Sequence, residues 1–255
     1  MKIAIIGDSF SAYNQDGQQE NSWTYLLSQH FPQHQYINYS IGGRGYDHYR
    51  IAMLDAKMKD VDVVLTNETF NERILSTITG SELFLLDEEV SSNYKTYNLR
   101  NIYWYSIHSD TLIYFGDQTN KIPESIEKAL LETLRNTAAS SKYHLYNTEW
   151  WNNVDKLYNF KHIVKLELLY NPNLKDTHNI GAYYDLQNAH GIIKEFNEYQ
   201  FANPQNIGSQ NHNYLTKLMY KKGLIVSETD DHWSPYSNKW VFHNYILPKV
   251  IDILS

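Results

Sequence analysis

Short apolar runs alternate with polar, helix-spaced segments through the first 70 residues. Ile3-Ala4-Ile5-Ile6 is too short and too uniformly apolar for an amphipathic helix, which predicts a buried strand over 2–6. From Ser11 to Glu20 the chain is polar, with turn chemistry at Asp16-Gly17, so a loop is expected. Asn21-Ser22 offers a cap to a helix whose apolar positions Trp23, Leu26, Leu27 and Phe31 have helical spacing, and Pro32 stops it. Tyr36-Ile37-Asn38-Tyr39 reads as a second strand, ended by Ser40-Ile41-Gly42-Gly43-Arg44-Gly45. A helix is expected from Tyr46 to Met58, with Ile51, Leu54 and Met58 on one face. Val61-Asp62-Val63-Val64-Leu65 follows as a third strand, and Thr66-Asn67-Glu68 as its terminal loop.

This alternation predicts an α/β fold with a parallel sheet and right-handed crossovers. In such a sheet the loops after successive strands leave from one edge. Those loops carry Ser9, Gly42-Gly43 and Asn67.

The middle of the chain has a weaker pattern. Asn101-Ile102-Tyr103-Trp104-Tyr105 reads as a strand, and Pro123 opens a helix with Ile126, Leu130 and Leu134 at helical spacing. From about Trp150 to Tyr220 there is no clean period, which suggests irregular or short helical structure, a cap over a site. Gly223-Leu224-Ile225-Val226 is a candidate strand leading to Asp230-Asp231-His232. Trp240, Val241 and Tyr245 suggest a closing helix, interrupted or restarted at Pro248. With no internal repeat, low-complexity tail or clear linker, one domain over 1–255 is expected, with an insertion or cap within 74–220.

Composition narrows the chemistry. At 255 residues and 42% hydrophobic, the chain can bury a substantial core. No apolar run approaches the ~20 residues of a membrane span, and nothing after Met1-Lys2 reads as a secretory signal. A cytoplasmic protein is therefore expected; a virion-associated one is also compatible. The absence of cysteine excludes disulfides, thiolate metal sites and a Cys nucleophile. A net charge of -7 argues against nucleic acid as a partner. The 22 Tyr and 6 Trp, with abundant Asn, suit a sugar-binding surface, but an AT-rich coding sequence is the preferred explanation of this bias. No metal is expected, because His108, His190 and His243 show no ligand spacing. No nucleotide cofactor is expected either: Gly7 is followed by Asp8, Ser9, Phe10, Ser11 and Ala12, with neither Gly-x-Gly-x-x-Gly nor a Walker motif.

One constellation remains. Gly7-Asp8-Ser9 sets a hydroxyl where the first strand runs out, an exposed but fixed position suited to a nucleophile. Asp230-Asp231-His232-Trp233-Ser234-Pro235 supplies an imidazole and carboxylates near the other end. An early serine with a late Asp/His pair is a chain order used by hydrolase triads. Each block also has a plainer reading: Gly-Asp-Ser and Gly-Gly-Arg-Gly as turns, Asn67 as a helix cap, Asp230-Asp231-His232 as a solvated loop.

In this order the blocks resemble the SGNH (GDSL-type) hydrolases. Gly7-Asp8-Ser9 is similar to the nucleophile motif, Asn38-Tyr39-Ser40-Ile41-Gly42-Gly43 to the oxyanion block, Leu65-Thr66-Asn67-Glu68 to the Gly-x-Asn-Asp block, and His232 to the base. The resemblance implies a three-layer, flavodoxin-like α/β/α fold without cofactor. It also implies a site in which Ser9 attacks, His232 accepts its proton and Asp230 steadies the imidazolium. The oxyanion donors would be the N–H groups of Ser9 and Gly43 and the Asn67 amide. The sequence departs from the family at two points. Thr229 stands three residues before His232, where the family has Asp; Asp230 is two before and Asp231 one before. In an extended segment Asp230 shares the face of His232 and Asp231 does not. The third block lacks the family's Gly before Asn. Asp-x-His-Trp also looks like the variant in alginate O-acetylation proteins. The expected activity is a serine esterase releasing small acyl groups, chiefly acetyl, from a small-molecule or glycan ester. An O-acyltransferase with the same triad and a non-catalytic glycan-binding or structural module are the alternatives.

Overall fold

The structure, a computed structural model, describes residues 1–12, 21–42, 44–69, 73–77, 85–91, 94–98, 102–106, 110–115, 121–166, 168, 217–227 and 230–255. Gly43, Asn101, residues 13–20 of the expected first loop and most of the expected cap after residue 166 lie outside these. In chain order the first elements are β1 (Lys2–Ile6), α1 (Trp23–His30), β2 (Gln35–Asn38), α2 (Tyr46–Met58) and β3 (Val63–Asn67). Five strands follow, with no helix between them among the described residues: β4 (Arg73–Thr77), β5 (Leu85–Ser91), β6 (Tyr94–Asn98), β7 (Ile102–Ser106) and β8 (Thr111–Phe115). Then come α3 (Glu124–Ala138), α4 (Ser141–Leu157), β9 (His162–Leu166), β10 (Ile225–Ser227), β11 (Asp230–Trp233), α5 (Pro235–Val241), a π-helical turn at Phe242–Ile246 and α6 (Leu247–Leu254). The chain packs as two compact units, Met1–Tyr13 with Pro32–Lys165, and Asn14–Phe31 with Leu166–Ser255.

The first unit is α/β. Its sheet has the order β5-β6-β2-β1-β3-β9, and β6, β2, β1 and β3 run parallel. Only β5 is shown antiparallel, forming a hairpin with β6. Ile3 pairs with Tyr36 on one side and Val63 on the other, so β1 is central. Both rows of side chains along β1 are buried, as expected of a parallel strand. Ala4 and Ile6 join Ile37, Tyr39 and Val64 in a core with Tyr49, Ala52, Met53 and Ala56 of α2 and Trp150, Trp151 and Val154 of α4.

A partly buried polar clip holds α4 onto α2. Arg50 donates to Asp47 Oδ1 at 2.9 Å and to Asn147 Oδ1 at 2.7 Å, and its guanidinium lies 4.2 Å from the Tyr146 ring centroid. Tyr143 donates to the other oxygen of Asp47 at 3.0 Å. The start of the stretch read as aperiodic, from Trp150, is thus corrected: it is the second half of α4. The inward stripe of α4 runs 143, 147, 150/151 and 154, a true helical repeat whose first two positions are Tyr and Asn.

His48, on the inward side of α2, is fully buried, and its Nε2–H donates to the Tyr39 carbonyl at 2.6 Å. Burial, aided by the nearby Arg44 charge, lowers its pKa from 6.5 to about 3. The sign follows from linkage. Above pH 6.5 both folded and unfolded states hold it neutral; below, the unfolded chain takes up a proton that the folded state refuses. Stability therefore falls as pH drops through 6.5, by at most about 1.4 kcal/mol per pH unit, until the loss levels off near pH 3. Between pH 7 and 5 this single residue should remove about 2 kcal/mol. Unfolding free energies from urea titrations of the native chain and His48→Gln, followed across that range, should diverge by this amount as pH falls.

The unit's second sheet is antiparallel, with order β4-β7-β8. Leu134 of α3 packs on Tyr105 of β7, with Leu112, Leu130 and Leu131 around them. Arg135 grips Asp110 with two bonds of 2.6 and 2.5 Å, tying the turn before β8 to the same helix.

In the second unit, Ser22 caps α1 by accepting the Tyr25 N–H at 3.2 Å, as the sequence predicts. Asn238 of α5 accepts the Trp23 N–H at 3.2 Å, and α1 packs on α5 and the π turn. The short hairpin of β10 and β11 precedes α5, whose cap Ser234 accepts from Ser237 N–H ahead of Pro235 at the first turn.

Candidate active site

β1, β2 and β3 run parallel with β1 in the middle, so their carboxyl ends share one edge. After β1 the chain goes to one neighbour, β2, and then crosses by α2 to the other, β3. The crevice at such a switch point is where open α/β sheets place their reactive and ligand-binding groups. Ser9 occupies it. The turn begins at Gly7, and Ser9 is partly exposed while Asp8 and Ser11 are fully buried. Ser9 Oγ makes no hydrogen bond to the described residues of the first unit.

The turn is held by its own residues and by both flanking strands. Asp8 Oδ1 accepts the Phe10 N–H at 3.1 Å, and the Asp8 carbonyl accepts the Ser11 N–H at 3.0 Å. Ile41 N–H donates to the Gly7 carbonyl at 3.3 Å, joining the loop after β2. Asn38, buried in β2, donates its Nδ2 to the Ser11 carbonyl at 3.0 Å and accepts the Ser40 N–H at 2.9 Å. From β3, Asn67 accepts from Ser11 Oγ at 2.6 Å and donates to the Glu68 carbonyl at 2.6 Å and to Asp8 Oδ1 at 3.3 Å. Asp8, Ser11, Asn38, Ser40 and Asn67 are buried, where an unmet bond costs about 1–3 kcal/mol, so the set fixes one geometry.

Gly7 is a steric requirement. A Cβ there would lie 2.1 Å from Asn67 Oδ1 and 2.6 Å from Ser11 Cβ. The amide clip packs directly against the Gly7 backbone, which leaves room for no side chain.

β3 runs two residues later than the apolar pattern suggests. Thr66 pairs with Ile6, so Asn67 ends a strand and does not sit in a loop. The strand can extend into polar residues because Asn67 finds partners inside. Next to it, burial and then the Glu68 charge push the Tyr46 phenol far above its ordinary pKa, so it stays protonated while accepting the Thr69 N–H at 3.5 Å. Thr69 in turn donates to the Arg44 carbonyl at 2.8 Å, which ties the β3 end to the start of α2.

Ser9 and Asn67 thus belong to one bonded edge of the first unit. Gly43 lies outside the described residues. His232 stands on β11 of the second unit, partly exposed, between the backbone of Asp231 and the buried Trp233. The backbone from Asp230 to Trp233 is extended, the conformation in which positions 230 and 232 fall on the same face. Sequence reasoning passed over Ser11 as the first residue of a polar loop; the one available signal was its position two residues after Ser9, on a short turn. Searched against protein-family models and against curated proteins, the sequence finds no match.

Proposed function

We propose that this chain is a serine hydrolase of the SGNH type that cleaves small acyl esters, chiefly acetyl esters of a small molecule or glycan, through an acyl-enzyme. The observation that carries the reading is Ser9 itself: a partly exposed hydroxyl on a turn fastened at the carboxyl end of the central parallel strand. Ser9 Oγ attacks the ester carbonyl carbon as His232 takes its proton. The tetrahedral oxyanion is held by the N–H groups of Ser9 and Gly43. The Asn67 amide provides a third donor by redirecting the hydrogen that makes its long, 3.3 Å bond to Asp8. Collapse breaks the ester C–O bond, and His232 returns its proton to the leaving alcohol. Water then repeats the sequence on the acyl-Ser9 ester and frees the acid. Asp230 orients the imidazole and stabilises its charged form.

Intact-mass analysis after a fluorophosphonate tests this directly. One adduct should appear, map to the peptide containing Ser9, and be missing from His232→Ala. A folded, unlabelled native protein would sink the reading. The Asp-x-His-Trp block keeps acyl transfer to a sugar hydroxyl as a second outcome, separated from hydrolysis by measuring whether acceptor raises product yield.

A further inference from the structure

Ser11 is fully buried, and the proposed reaction uses it neither as nucleophile nor as base. It is nevertheless the hub of the site's bonding. Its N–H goes to Asp8 after β1, its carbonyl accepts from Asn38 of β2, and its hydroxyl donates to Asn67 of β3.

The last bond has a directional consequence. An amide presents an acceptor at one end and two donors at the other, and its neighbours decide which way it points. Ser11 Oγ donates to Oδ1 at 2.6 Å, leaving Nδ2 to the Glu68 carbonyl and Asp8. Turned over, Oδ1 would face a carbonyl and a carboxylate, oxygen against oxygen, and Nδ2 would face Ser11. Ser11 and Gly7 also fix the amide's place, since it lies against the bare Gly7 backbone.

We propose that Ser11 is a positioning residue that holds the Asn67 amide with one donor hydrogen toward Asp8 in the Ser9 turn, keeping the third oxyanion donor aimed. The proposal rests on the esterase reading for its kinetic consequence. Losing an oxyanion donor outright typically costs about 10²–10³ in kcat; losing only its anchor, with Asp8 and Glu68 still favouring the correct orientation, should cost about 10–100-fold.

The test is a double-mutant cycle on an acetyl ester, with kcat and KM for the native chain, Ser11→Ala, Asn67→Ala and the double variant. Ser11→Ala should lose about 10–100-fold in kcat with KM within about threefold, and the double variant should fall no lower than Asn67→Ala. Native kcat in Ser11→Ala, or losses that multiply in the double variant, would overturn the proposal. If Ser11→Ala does not fold, Ser11→Cys fills the site with a weaker donor and should show a smaller loss of the same kind. A second readout is independent of turnover. The Asn67 side-chain amide protons, followed by NMR hydrogen exchange, should be protected in the native chain and lose that protection in the Ser11 variant. Unchanged protection overturns the clamp. A native chain that takes no phosphonate at Ser9 but shows this loss would refute the esterase reading while leaving the clamp standing.

Discussion

Replacing Ser9 by alanine should lower kcat/KM for acetyl-ester hydrolysis by about four to six orders of magnitude, the scale on which a serine nucleophile is missed. The same change should leave stability within about 0.5 kcal/mol, because Ser9 is partly exposed and its hydroxyl makes no hydrogen bond to the first unit's described residues. The pairing of a large kinetic effect with a negligible structural one is the signature to look for. Assays of purified native and Ser9→Ala protein, alongside thermal melts, measure both. Hydrolysis persisting in a clean Ser9→Ala preparation would remove Ser9 from the chemistry.

Gly7→Ala should do the opposite, striking the fold first. The added methyl would sit 2.1 Å from Asn67 Oδ1 and 2.6 Å from Ser11 Cβ, far inside contact distance. Neither neighbour can yield cheaply. Asn67 and Ser11, both buried, share one bond and are held by two more each. Overpacking of about 1–3 kcal/mol, added to one or two broken buried bonds, gives an expected loss of about 2–5 kcal/mol. Urea unfolding reads that loss, and phosphonate labelling of the remaining folded protein should be much slower than native. A Gly7→Ala protein as stable as the native chain would mean that the Asn67 clip is not packed against Gly7.

The sequence-legible part of the molecule was the part whose side chains have one job. Ile3 to Ile6 serve only burial, and the helix from Tyr46 to Met58 has the expected bounds; its buried face, however, is Tyr49, Ala52, Met53 and Ala56, while Leu54 and Met58 of the expected apolar face are exposed. The cap at Ser22 and the stop before Pro32 were readable because capping depends on local chemistry alone. Legibility failed where polar residues do core work. Asn147 and Tyr143 face inward on α4 because Arg50 and Asp47 meet them, and those partners lie about a hundred residues away. Likewise β6, Tyr-Lys-Thr-Tyr-Asn, is recruited to the parallel sheet by β2, a pairing no local pattern announces. At the candidate site, Ser9 and Asn67 were visible from motif order. The roles of Ser11 and Asn38 were not, since they follow from bonds between strand ends.

The division of the chain also limits how it can be cut. Neither unit is a continuous polypeptide: the second borrows residues 14–31 from within the amino-terminal third. A clone that stops at residue 165 would still encode α1, with buried Trp23 and Leu27, but none of α5 or the π turn that pack on it. Such a product would display an orphaned greasy helix and precipitate, so the halves should be dissected by excising both stretches together.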